Sequence, residues 1–304
     1  MRLVTFAPSP RDPARAGVLL PDGGVLDLGE EARLRGRALP FDAGDLVSLI
    51  ASGEAGLRAV RELLAAPRSK GSALAGVRLL APIPRPRKNV FCVGWNYLEH
   101  FQEGEKWRQA KTDLPAHPVF FSKATSAVNG PYDPIPWDPK VTTQVDWEVE
   151  LGVVVGKRGK NIPEERGLDH VFGYTVVNDV SARDIQKGHG GQWHKGKSLD
   201  GYCPMGPWIA TADEVDPSDL RVITRVNGEV KQDSSTRYMY FKIPRLLAEL
   251  SLGLTLEPGD LLSTGTPPGV GFARTPPEWL KQGDVMETEI VGLGLLRNVI
   301  GGQG

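Results

Sequence analysis

Two cysteines, Cys92 and Cys203, are all that 304 residues contain. That excludes a disulfide framework, and each sits in the apolar setting of a reduced, buried thiol. An excess of one charge is missing too. Lys and Arg number 36 against 37 for Asp and Glu, so no global field favours nucleic acid or an anionic membrane surface. No stretch approaches the roughly 18 uninterrupted apolar residues of a membrane span. The opening MRLVTFAPSP has no apolar core of signal-peptide length, so the expected location is cytoplasmic. Internal repeats and low-complexity tails are also absent from the chain, and Gly-x-x-x-x-Gly-Lys-Ser/Thr does not appear ahead of a helix, as a phosphate loop requires. A small molecule is the partner that these absences leave.

What is present reads as two unequal parts. Residues 1–80 predict a small α/β unit: an N-terminal strand, a turn at Pro21-Asp22-Gly23-Gly24 and two helical stretches. The second stretch carries Leu57, Val60, Leu63 and Leu64 at helical spacing and ends before Pro67. Ala81-Pro82-Ile83-Pro84-Arg85-Pro86 is extended, because alternating prolines remove donors and fix φ. It marks the expected boundary to a catalytic domain over 81–304. From Asn89 onward, short β-rich runs alternate with Gly and Pro: 90–93, 119–122, 147–155, 171–177 and 208–210. Val222 to Val226 meets Asn227-Gly228, a type I′ hairpin signal. A helix is predicted over Pro244–Leu250. Asp260 to Thr264 leads into a Thr-Gly-Thr-Pro-Pro-Gly stretch, and the runs 285–290 and 295–300 are expected to close the sheet. The fold class is α+β, mostly β.

Chemistry concentrates in Asp146-Trp147-Glu148-Val149-Glu150-Leu151. Alternation on a strand turns Glu148 and Glu150 to one face and Trp147, Val149 and Leu151 to the other. Such a pair is ordinarily the solvated face of an amphipathic strand. Here Leu151-Gly152-Val153-Val154-Val155 follows, a run buried on both faces. Like charges beside such a core repel unless a cation neutralises them. Asp179, at the end of the apolar run 171–177, supplies a third carboxylate. Three oxygen donors without a His or Cys set favour a hard cation, Mg²⁺ or Mn²⁺.

Asp146 to Val155, followed by Asn178-Asp179-Val180-Ser181-Ala182-Arg183-Asp184, resembles the Glu-x-Glu…Asp metal site of the fumarylacetoacetate hydrolase family. Gly196-Lys197-Ser198-Leu199-Asp200-Gly201, Pro204-Met205-Gly206-Pro207 and the stretch from Thr264 follow in the family's order. The resemblance covers roughly residues 89 to 300. It implies a β-roll catalytic fold, usually a homodimer, with Mg²⁺ or Mn²⁺ on Glu148, Glu150 and Asp179. Related members hydrolyse acylpyruvates, decarboxylate oxaloacetate-like acids, isomerise unsaturated 2-oxo acids or dehydrate sugar acids.

His100 and Glu103 lie three apart, one helical turn, in Asn96-Tyr97-Leu98-Glu99-His100-Phe101-Gln102-Glu103. A carboxylate beside imidazole raises its basicity and orients it, as a water-activating base requires. Such a pair is ordinarily a surface ion pair, but hydrolytic and decarboxylating relatives resemble this chain in carrying His-x-x-Glu on a lid. The polar stretch 101–118 reads as that lid, longer than in compact relatives and with extra charge at Glu105, Lys106 and Arg108. Lys197 matches the family's site lysine, for a carboxylate or a developing oxyanion, and otherwise reads as a solvated neighbour of Lys195. Arg183 and Gln186 resemble the positions that hold the substrate's carboxylate end, where Thr266 would donate its hydroxyl. A structural pair of Arg183 with Asp184 or Glu150 is the alternative. Gly265 and Gly269 allow a tight backbone approach or simply mark a turn.

The leading expectation is hydrolysis of a carbon–carbon bond in an acylpyruvate-like diketo acid through an enolate held by the metal, with His100 activating water and Lys197 stabilising the developing charge. An oxaloacetate-type decarboxylase or a 2-hydroxyhepta-2,4-diene-1,7-dioate isomerase would use the same site. A binding module without catalysis would have no need of His100 and Glu103 on a lid.

Overall fold

The computed structural model describes residues 1–107 and 113–301. The first third holds strands β1 (Arg2–Ala7), β2 (Arg15–Leu19) and β3 (Gly24–Asp27), helices α1 (Leu28–Leu34), α2 (Leu46–Ala51) and α3 (Gly53–Leu64), then β4 (Ser72–Ala73), β5 (Arg78–Leu79) and β6 (Val90–Gly94). Next come α4 (Leu98–Glu103), β7 (Val119–Lys123), β8 (Val128–Asn129), β9 (Val145–Asp146), β10 (Val149–Val155), β11 (Val171–Asn178) and β12 (Ser181–Ala182). Helices α5 (Arg183–Gly188) and α6 (His194–Lys197) precede β13 (Cys203–Thr211), β14 (Arg221–Val226), β15 (Glu229–Ser235) and α7 (Ile243–Ser251). Strands β16 (Leu261–Ser263), β17 (Val285–Ile290) and β18 (Gly294–Val299) complete the fold.

One large sheet runs β4-β3-β2-β1-β13-β11-β10-β16-β6-β7, with β5 beside β1 and β8 beside β13. It crosses the boundary expected near residue 81: β1 pairs antiparallel with β13 through Leu3 and Ile209. The cores merge as well. Leu3, Leu28, Leu49 and Val60 belong to the same buried cluster as Cys92, Val154 and Met205. The expected separation of a 1–80 unit is therefore corrected: backbone pairing and a shared apolar core make these residues part of the main sheet. The segment also folds three helices where two were expected, because Asp45 caps Leu46–Ala51 through the Val47 N–H and so starts a helix of its own.

The centre of the sheet is β10 against β11, paired from Val149 with Asn178 to Val155 with Val171. Val149, Leu151 and Val153 pack on the side of α7, with Leu246 and Leu247. Val154 packs on the opposite side. Glu150 shares that side by alternation, so one buried strand delivers apolar groups to one layer and a carboxylate to the other.

The runs 285–290 and 295–300 do not close this sheet. As β17 and β18 they join β14 and β15 in a second, four-stranded sheet, in order β15-β14-β17-β18. The hairpin at its edge has the expected turn, with φ of 52° at Asn227 and 82° at Gly228. Among the described residues no helix is long and apolar enough to cross a membrane.

Candidate active site and metal centre

The site forms where β10 and β11 end side by side. Glu148 precedes β10, and its backbone is held there: its N–H donates to Asn178 Oδ1 at 3.0 Å, and its carbonyl accepts from the Asp179 N–H at 2.9 Å. Asp179 follows directly on β11, so the last paired residues set two carboxylates next to each other. Glu150, inside β10, completes the group. Ligand oxygens of Glu148, Glu150 and Asp179 lie within 4.8 Å of one another, and all three residues are buried.

Two buried lysines and a partly buried arginine hold this cluster. Lys197 Nζ donates to Glu148 Oε2 at 2.8 Å and to Asp179 Oδ2 at 2.7 Å. Lys123 Nζ donates to Asp179 Oδ1 and, at 3.0 Å, to the Val180 carbonyl. Arg183 donates through Nη2 to Glu148 Oε1 at 2.5 Å, through Nε to Asp146 Oδ2 at 2.9 Å, and through Nη1 to Gln186 Oε1 at 3.0 Å. Glu150 is held differently. Its Oε2 accepts from Ser263 Oγ at 2.5 Å and from the Gly265 N–H at 2.9 Å, which leaves Oε1 for another ligand.

The balance of charge fits a divalent cation. Burial opposes ionisation of Glu148, yet Lys197 and Arg183 outweigh it and hold this carboxyl well below the usual range. Burial, with the carboxylates of Asp179 and Glu148, pushes Glu150 well above its ordinary value. Burial also works against the Lys197 ammonium, but Asp179 and Glu148 raise its affinity for the proton. With all four buried carboxylates ionised, Asp146 included, they face three cations and one negative charge is left over. A divalent ion on Glu148, Glu150 and Asp179 turns that into one positive charge, which suits a substrate carboxylate.

The dyad predicted on the lid is formed. In α4, His100 Nδ1 lies 2.7 Å from Glu103 Oε1, and Glu103 Oε2 accepts the Gly269 N–H at 2.9 Å. With Nδ1 engaged, Nε2 is the nitrogen left for chemistry. His100 lines one small cavity together with Glu148, Glu150, Lys197, Gln186 and Thr266. Arg108, counted with the extra lid charge, lies outside the described residues.

Two expectations change in detail. Arg183 pairs with Asp146 and Glu148 rather than with Asp184 or Glu150, while Asp184 instead accepts the Thr142 hydroxyl at 2.6 Å. Of the five N–H donors of Arg183, two remain for a ligand. Thr266 lines the cavity, but its hydroxyl donates to the Val149 carbonyl at 3.0 Å and accepts from Gln232 Nε2 at 2.8 Å. That hydrogen is therefore spent on the backbone of β10. Both glycines of the following loop are required. Gly265 has φ 95° and Gly269 φ 103°, and a Cβ on Gly269 would stand 2.3 Å from the Lys231 carbonyl oxygen.

Sequence reasoning missed Lys123 and Asp146 as members of the site. Lys123 ends the run Val119-Phe120-Phe121-Ser122 and is fully buried. A lysine closing an apolar strand is the signal that finds it, since lysine is almost never fully buried unless paired. Asp146 accepts from the backbone N–H groups of Trp147, Gly271 and Phe272 at 2.8, 2.6 and 3.1 Å. It thereby carries Phe272, whose ring lies 4.4 Å from the Arg183 guanidinium carbon. Cys92 and Cys203 are free and buried, and burial pushes the Cys203 thiol up to about 12.

Comparison with known proteins agrees with this arrangement. Residues 89–301 match the profile of the fumarylacetoacetate (FAA) hydrolase C-terminal domain. The chain belongs to the fumarylacetoacetate hydrolase family. It is 43% identical over 293 residues to the oxaloacetate tautomerase YisK of Bacillus subtilis, covering 94% of this chain and 95% of that one. A fumarylacetoacetate hydrolase from Exiguobacterium antarcticum is similar in structure, with a TM-score of 0.80, 39% identity and full coverage of both chains. A maleylpyruvate hydrolase from Sphingobium sp. SYK-6, solved with manganese(II) and pyruvate, has a TM-score of 0.77 at 30% identity over 99% of this chain and 98% of that one. The sheet-dominated fold is thus the fold of this family. Family membership and the buried triad make the chain an enzyme with a centre suited to a divalent ion.

Proposed function

We propose that this protein is a divalent-metal-dependent tautomerase that interconverts the keto and enol forms of oxaloacetate-like 2-oxo acids. The observation that carries the reading is the single cavity that His100 lines together with Glu148, Glu150 and Lys197. The similarity to the Bacillus subtilis oxaloacetate tautomerase supports it over the cleavage reaction expected from the sequence.

Glu148, Glu150 and Asp179 would hold the ion, Mg²⁺ or Mn²⁺. When bound, it polarises the 2-oxo group and lowers the cost of removing a C3 proton. Lys197 has one N–H beyond the two given to Glu148 and Asp179, and directs it at the 2-oxo oxygen as charge develops there. Gln186 keeps its Nε2 for the substrate carboxylate, since Arg183 occupies its Oε1. His100 takes the C3 proton on Nε2, and Glu103 stabilises the imidazolium that results. The same proton passes to the 2-oxo oxygen, the C2–C3 double bond forms, and no other reactant is consumed. Thr266 and Gln232 hold the backbone of β10, and with it Glu150, against the loop after β16.

The test is product analysis with Mn²⁺ present. Decay of enol-oxaloacetate is followed optically, and loss of deuterium from C3, CO₂ release and acetylpyruvate cleavage are followed by NMR in parallel. Tautomerisation is expected to have the highest kcat/KM. Hydrolysis of acylpyruvates is a second reading, favoured by a dyad able to activate water and by the similarity to maleylpyruvate hydrolase. Cleavage outpacing tautomerisation would put it in first place. The assembly we propose is a homodimer, which light scattering after size exclusion tests.

A further inference from the structure

The cavity over the carboxylates is small, about 50 Å³, enough for the chelating end of a 2-oxo acid and little more. A second cavity of about 230 Å³ adjoins it and shares Arg183, Gln186, Trp193 and Phe272 as walls. A substituent that extends out of the first cavity past these shared walls would enter it. An apolar cavity of about 150 Å³ already admits benzene.

Two of its walls are aromatic and fixed. Trp193 packs edge-on against Trp95 and Phe121, with ring centres 5.2 Å apart in both pairs. Its indole also lies against Gly94, where a Cβ would come within 2.2 Å. Phe272 is set by its backbone N–H on Asp146 and by the Arg183 guanidinium against its ring. Rings held this way offer a further ring an edge or offset face without reordering.

We propose that this second cavity binds an aryl group on C3 of the substrate, so that arylpyruvates are tautomerised along with smaller 2-oxo acids. The inference rests on the tautomerase reading for its chemistry: a C3–H bond breaks, C2=C3 forms and the 2-oxo oxygen gains the proton. The aryl group stays unchanged and fills the space between Trp193 and Phe272. Lys187 also lines this cavity, and a distal carboxylate held by it is the rival occupant.

Calorimetry on the Mn²⁺-loaded protein decides between them with pyruvate, phenylpyruvate and 2-oxoglutarate as probes. Pyruvate and phenylpyruvate chelate through the same atoms, so their Kd ratio isolates the ring. We expect phenylpyruvate to bind at least tenfold more tightly than pyruvate and its enol to be converted. Phe272→Ala and, separately, Trp193→Leu should each cut that ratio to threefold or less. Equal affinity for the two in the parent protein would overturn the proposal, as would a gain for 2-oxoglutarate that matches or exceeds that of phenylpyruvate. A tenfold ring preference without oxaloacetate turnover would sink the tautomerase reading and leave the ring site standing.

Discussion

Glu103 at the end of α4 accepts the N–H of Gly269 on the loop after β16 at 2.9 Å. The same carboxylate orients His100 at 2.7 Å with its other oxygen. That loop is tied again through Gly265 to Glu150 and through Gly271 to Asp146. One segment therefore sets His100, Glu150 and Asp146, the carboxylate behind Arg183, in register.

Removing His100 should leave the ion's affinity intact and slow C3 proton exchange. His100→Ala is expected to lower tautomerisation by roughly 10² to 10⁴, the usual contribution of a positioned base. Glu103→Gln should act in the same direction with a smaller effect. Deuterium loss from C3 at the parent's rate in both variants would remove the dyad from the mechanism.

The triad is tested by binding alone. Glu150→Gln and Asp179→Asn should each weaken Mn²⁺ by on the order of a hundredfold in calorimetry, because a hard cation loses one of three charged oxygen donors. Parent-like affinity in either variant would move the ion elsewhere.

Lys123 has no access to solvent and holds Asp179. Lys123→Met leaves that carboxylate buried with one cation fewer, and truncating a buried pair costs about 3–5 kcal/mol. Urea unfolding of the chelator-treated protein measures this. A loss under about 1 kcal/mol would mean that Asp179 is neutralised without Lys123.

Glu31 provides a pH-dependent contribution to stability. It is buried in α1 and accepts from the Arg68 and Ser69 N–H groups and from Arg35. Burial works against its charge, but these donors prevail and lower its pKa below the ordinary 4.5. A lowered carboxylate stabilises the fold above its unfolded pKa, and the effect is lost as pH falls through the folded value. The Tm gap between the parent and Glu31→Gln should thus be widest near neutrality and shrink on acidification towards pH 3. A gap independent of pH would assign the role of Glu31 to packing.

Local pattern determined a good part of this protein. The apolar period over Pro244–Leu250 became α7, over Ile243–Ser251, and Asn227-Gly228 specified its turn, because each depends on residues within a few positions. The paired glutamates were legible for the same reason: strand alternation places their side chains before any partner is known. Membership of the second sheet by β17 and β18 was not legible, since an amphipathic strand states which face it buries and not which neighbour it pairs with. Arg183 met Asp146 and Glu148, and Lys123 reached Asp179 across 56 residues. Which cation neutralises which carboxylate is decided by contacts between distant segments. The hydroxyl of Thr266 was taken by the Val149 carbonyl for the same cause: only the packed β10 backbone put an acceptor within its reach.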